Sequence, residues 1–152
     1  MAGTILKKED YCDGGIRYIR WLCTASSDGD VTTTSSSCMA GDVRGVISNV
    51  KWTPDDSGGL VFSGNNVPAA GWDGKLLCSQ YSATQGQVFG LTHDVANGLG
   101  TNLSTTAPKQ GMPVDPTNGG PYYLFGNRLK PWSSGTGNAK KYILEAIIQE
   151  LA

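Results

Sequence analysis

Lys141-Tyr142-Ile143-Leu144-Glu145-Ala146-Ile147-Ile148-Gln149-Glu150-Leu151 is the stretch on which the fold class turns. At helical spacing, Ile143, Leu144, Ile147, Ile148 and Leu151 share one face, and the composition is helix-friendly. With period two, Tyr142, Leu144, Ala146 and Ile148 line one strand face equally well. The pattern alone tips towards helix. The choice matters because the other apolar segments read as strands, so a terminal strand makes the chain all-β.

Upstream, Gly15-Ile16-Arg17-Tyr18-Ile19-Arg20-Trp21-Leu22-Cys23 is β-prone by composition. As a strand it places Ile19, Trp21 and Cys23 with Arg17 on one face, and Ile16, Tyr18 and Leu22 with Arg20 on the other. Both faces are mostly apolar, which predicts cover on each side. Gly45-Val46-Ile47-Ser48-Asn49-Val50-Lys51-Trp52 puts Val46, Val50 and Trp52 on one face. Further strands are expected at 74–81, 87–92 and 122–125, with a short buried run at Leu60-Val61-Phe62. Ser26-Ser27-Asp28-Gly29-Asp30 is a turn, as is Asn97-Gly98 with Gly100, since Gly, Asn and Asp reach the left-handed region cheaply. Residues 32–37 read as an edge strand or a loop, and 107–121 and 131–137 as breaks.

A chain of 152 residues is most simply one domain, spanning 1–152, with 1–11 as a candidate N-terminal arm. The net charge of -1 and 16% charged residues leave no basic stripe, which argues against nucleic acid and anionic membranes as partners. No apolar run approaches the ~18–20 residues that cross a bilayer, and no secretory leader is visible, so synthesis in a cytoplasm is expected. The 21 glycines and 7 prolines are interleaved with 4 Trp, 6 Tyr and 3 Phe, a mixture that suits many short strands. Cys12, Cys23, Cys38 and Cys78 contain no C-x-x-C pair, and His93 is the sole histidine, which speaks against a metal site. The four thiols are expected reduced, with disulfides formed after release from a cell as the alternative.

Motifs that suggest chemistry read better as structure. Asp56-Ser57-Gly58-Gly59 matches the string around a serine-protease nucleophile, yet Asp55 stands where glycine belongs and His93 follows rather than precedes the serine. His93-Asp94 are adjacent, so on a strand they point to opposite faces. Asp28-Gly29-Asp30 lacks the acidic ladder of a calcium loop. Gly98-Leu99-Gly100 has Leu103 in place of a third glycine, and 135–140 is not a phosphate loop, so no cofactor is expected. No catalytic residue is nominated. Trp21 and Trp52 lie inside strands and read as core. Trp72 and Trp132, beside glycines and prolines, are the candidate partner contacts.

Val88 to Ala107, with Pro113-Val114 and Tyr122 to Phe125, resembles a group of small virion structural proteins of tailed bacteriophages. In that group a strand ending in Leu-Thr-Asp precedes an Asp/Gly turn, a Leu-Gly-rich segment and Asn-x-Ser-x-Thr. Leu91-Thr92 and Asp94, with His93 inserted, are similar to the first element; Gly98-Leu99-Gly100 and Asn102-Leu103-Ser104 are similar to the second. The cysteines and the segments 60–73 and 107–121 are not typical of it. The resemblance implies a single-domain β-sandwich closed by a C-terminal strand after a Gly/Ala/Lys stretch, here Gly137-Asn138-Ala139-Lys140-Lys141. It further implies a non-enzymatic virion component, first a capsid decoration or cement protein. Its partners would be further copies of itself and other virion proteins, above all the major capsid protein, with 105–121 and 1–11 as arms. The alternatives are a neck, collar, tail or baseplate component, or a carbohydrate-binding module using Trp72 and Trp132.

Overall fold

The computed structural model describes residues 3–33, 38–54, 73–82, 85–90, 109–112, 121 and 123–151. Eight strands run through them: β1 (Thr4–Asp13), β2 (Ile16–Thr24), β3 (Ala40–Pro54), β4 (Asp73–Ser82), β5 (Gln85–Gly90), β6 (Lys109–Gly111), β7 (Tyr123–Ser134) and β8 (Lys141–Glu150). They pair antiparallel in one sheet, ordered β1-β2-β8-β3-β7-β4-β5, with β6 on β3. The all-β expectation holds, and no α-helix occurs among the described residues.

The terminal stretch is a strand because it is central. β8 pairs with β2 from Ile16↔Gln149 to Thr24↔Lys141, and with β3 from Gly45↔Glu150 to Pro54↔Tyr142. Two ladders satisfy its backbone on both sides, a gain that outweighs a helix preference of tenths of a kcal/mol per residue. Tyr142, Leu144, Ala146 and Ile148 are fully buried. They face Ile19, Trp21 and Cys23 of β2 and Val50 and Trp52 of β3 within one core. Burying each large apolar side chain contributes about 2–3 kcal/mol.

The sheet folds back on itself. Tyr142 pairs opposite Pro54 at one end of β3, while Ser133 lies beyond Leu129, which pairs opposite Ala40 at the other end. Flat, the two would stand roughly 50 Å apart at the rise of a strand. Instead the Tyr142 hydroxyl donates to Ser133 Oγ at 3.1 Å. The corner sits where the β3–β7 register shifts around Val43, with Asp42 at φ 50°, Gly45 at φ 139° and Gly126 of β7 at φ 90°. Bulges are the usual way for strands to turn such corners. The strands thus form one continuous folded sheet among the described residues, rather than two separate ones.

Several local expectations are corrected. From Thr4 onward the proposed arm 1–11 is edge strand β1, paired with β2 from Thr4↔Thr24 to Asp13↔Ile16. Val46 does not share a face with Val50 and Trp52, because the register shifts between Ile47 and Asn49. Ser48 is the extra residue, and its hydroxyl donates to the Ile147 carbonyl at 3.0 Å. Val43 and Ile47 before the bulge and Val50 and Trp52 after it all point inward. β2 buries Ile19, Trp21 and Cys23 on one face, while on the other Tyr18, Arg20 and Leu22 are half-buried and Ile16 is 49% exposed. β7 runs straight through Pro131, opposite Leu76, and part of 107–121 pairs with β3 as β6. Of 32–37, the described residues are Thr32 and Thr33, which follow the isolated bridge Val31↔Ser133; the remainder lies outside the description.

Candidate functional site

The outward face of β1, β2, β8 and β3 is the most distinctive surface among the described residues. Residues opposite one another on neighbouring strands point the same way, so the registers read as rows. One row runs Glu9–Arg20–Glu145–Lys51, alternating in charge across four strands. The next runs Tyr11–Tyr18–Ile147–Asn49, and the third runs Asp13–Ile16–Gln149–Val46–Tyr123. Phe125, two residues on from Tyr123 and opposite Arg44, extends the face.

Tyr11 and Tyr18 pack with ring centroids 5.4 Å apart. The Tyr18 hydroxyl donates to Glu145 Oε2. Burial first, and then that carboxylate, push the Tyr18 hydroxyl well above its ordinary value, so it remains a donor. Arg20 lies 3.7 Å from Glu9. Tyr11, Tyr123 and Phe125 are 54%, 53% and 63% exposed, an apolar surface beside a charged row.

On the opposite face, a charge cluster ties the edge hairpin to the start of β3. Arg17 grips Asp10 through two hydrogen bonds, at 2.8 and 2.9 Å, and reaches the Gly41 carbonyl at 3.1 Å. Lys7 bonds Asp10 at 3.3 Å and the Met39 carbonyl at 3.1 Å. Burial alone would raise the Asp10 carboxyl, but Arg17 and Lys7 override it and hold it below the usual value.

Cys12, Cys23 and Cys38 are thiols outside any disulfide, Cys12 exposed and the other two buried. The Cys12 thiol donates to Glu150 Oε1 at 3.0 Å, and that carboxylate raises its pKa. Burial pushes the thiols of Cys23 and Cys38 upward. None is poised as a nucleophile, which requires a stabilised thiolate. Cys78 lies in β4 opposite Leu129 and Gln87.

Trp132 is half-buried in β7, opposite Lys75, whereas Trp72 lies outside the described residues. So do His93, Asp94 and the stretches 55–59 and 91–107 that carried the motif readings and most of the resemblance. The 26–30 turn is present, with Ser26 Oγ accepting from the Asp28 and Asp30 amides at 3.2 and 3.3 Å. Beside it, small residues including Gly3, Ala25 and Ala139 line an open cavity of about 420 Å³, with no titratable side chain among the described lining residues. Among the described residues, no three His, Cys, Asp or Glu groups are placed to hold a metal ion, and no helix is long and apolar enough to cross a membrane. The alternating charge row has no signature in the sequence because its members come together only through strand register. Comparison of the chain with protein-family models, curated proteins and solved structures finds no match.

Proposed function

We propose that this chain is a non-enzymatic structural protein of a tailed-bacteriophage virion, an accessory component that decorates or cements the capsid as a homo-oligomer. The observation that supports it is the half-exposed apolar side chains, Tyr11, Ile16, Tyr123 and Phe125, on the outward side of a continuously hydrogen-bonded sheet. Such a face offers a modest contact that needs no reactive group. Repeated around a symmetric shell, modest contacts add through avidity. The virion setting comes from the resemblance carried by 88–107.

The test is to mix the purified protein with undecorated shells, follow co-sedimentation, and count copies in finished particles by quantitative mass spectrometry. Hundreds of copies and saturable shell binding support decoration. A count of about six or twelve moves the protein to the neck or tail axis, where components follow the low-order symmetry of the particle. Complete absence from purified particles overturns the virion reading.

A further inference from the structure

We propose that the outward face of β1, β2, β8 and β3 is self-complementary and docks a second copy of this chain, about a two-fold axis running parallel to the strands between β2 and β8. The charge row decides the geometry. Across the sheet it reads Glu9, Arg20, Glu145, Lys51: negative, positive, negative, positive. Rotation about that axis reverses the order on the facing copy. Glu9 then stands opposite the second copy's Lys51, and Arg20 opposite its Glu145, each contact occurring twice as an isologous interface requires. An axis along the row would set Glu9 against Glu9 and Lys51 against Lys51, so the row rejects that alternative. In the chosen orientation the next row brings Tyr18 against Ile147, an apolar contact behind the charged border, and the row beyond it brings Ile16 against Gln149.

The size of the face sets the strength. Four strands and three rows cover on the order of 400 Å² per copy, about half the ~800 Å² per partner of a stable complex. The dimer is therefore weak when free and populated where copies are concentrated, as on a repeating array. This names the self-partner in the homo-oligomer reading above and rests on that reading only for its setting.

The experiment is sedimentation equilibrium of the full chain, up to about 1 mM, at low and at high salt, with circular dichroism checking that each variant folds. Wild type is expected to self-associate in a concentration-dependent way, several-fold more weakly at high salt. Glu9→Lys alone places Lys against Lys51, and Lys51→Glu alone places Glu against Glu9, so each loses about tenfold in association. Mixed together, the two variants restore every opposite-charge contact and associate like wild type, an outcome that pairing within one chain does not produce. A monomer at about 1 mM in low salt, or a mixture no better than its components, overturns the dimer. Should either variant misfold, the salt dependence of wild type and its disruption by Ile16→Glu carry the same decision. Shell binding by a strictly monomeric protein sinks the dimer alone, and a dimer absent from particles sinks the virion reading alone.

Discussion

At Gly45, β3 is flanked on both sides, by Leu124 of β7 and Glu150 of β8, with φ at 139°. A Cβ there would lie 2.1 Å from the Gln149 carbonyl oxygen, a backbone atom that cannot yield without breaking the ladder. Gly45→Ala is expected to cost about 3 kcal/mol or more in urea unfolding, from steric overlap and backbone strain together. Gly41→Ala, which meets nothing within 4 Å, should change stability by under about 0.5 kcal/mol. Asp10 makes a different demand. Its folded carboxyl titrates below the unfolded value of about 3.9, so its stabilisation is complete above that value and is lost as pH falls through the folded one. Asp10→Asn should destabilise by about 1 kcal/mol at neutral pH, allowing for solvent screening, and the gap to wild type should close as pH falls through the lowered folded value. A constant gap across the titration would assign the role of Asp10 to packing.

Among elements, β2 and β8 follow alternations present in the sequence, although periodicity alone tips β8 towards helix. What reversed that leaning was partnership on both sides, a non-local gain that no eleven-residue window contains. The β3 alternation was readable but out of phase, because Ser48 inserts one residue and resets which face points inward. Deleting Ser48 should let Ile47, Asn49 and Val50 pair in an unbroken ladder with Ile148, Ile147 and Ala146, so that Val50 and Trp52 stay inward and cooperative unfolding is kept. Ser48→Ala keeps the residue count and removes only the hydrogen bond to Ile147, costing about 1 kcal/mol. Loss of the cooperative transition in the deletion alone would show that the fold needs the local bend of the bulge, not only the inward set of side chains. Pro131 shows the converse failure: it signals a break, yet a strand accepts it where its missing donor is not required.

For the molecule as a whole, the folded-over sheet is latched where Tyr142 meets Ser133, whose hydroxyl also lies 2.9 Å from that of Thr136. Tyr142→Phe should cost about 1 kcal/mol with the fold retained, since Ser133 keeps its second partner. Peptide-resolved thiol labelling should find Cys23 and Cys38 protected until global unfolding and Cys12 accessible but slow, because Glu150 opposes its ionisation. Early labelling of Cys23 would mean that the core opens locally. Part of this was already present in the chain itself: β class, most strand positions and the Ser26–Asp30 turn, because alternation and turn chemistry act over a few neighbouring residues. The tertiary structure alone settled the rest: β8 as a central strand, the phase of β3 and the corner at Asp42–Gly45. It also assembled the row Glu9–Arg20–Glu145–Lys51. These depend on register between segments far apart in the chain, and a one-residue bulge changes that register without changing any local pattern.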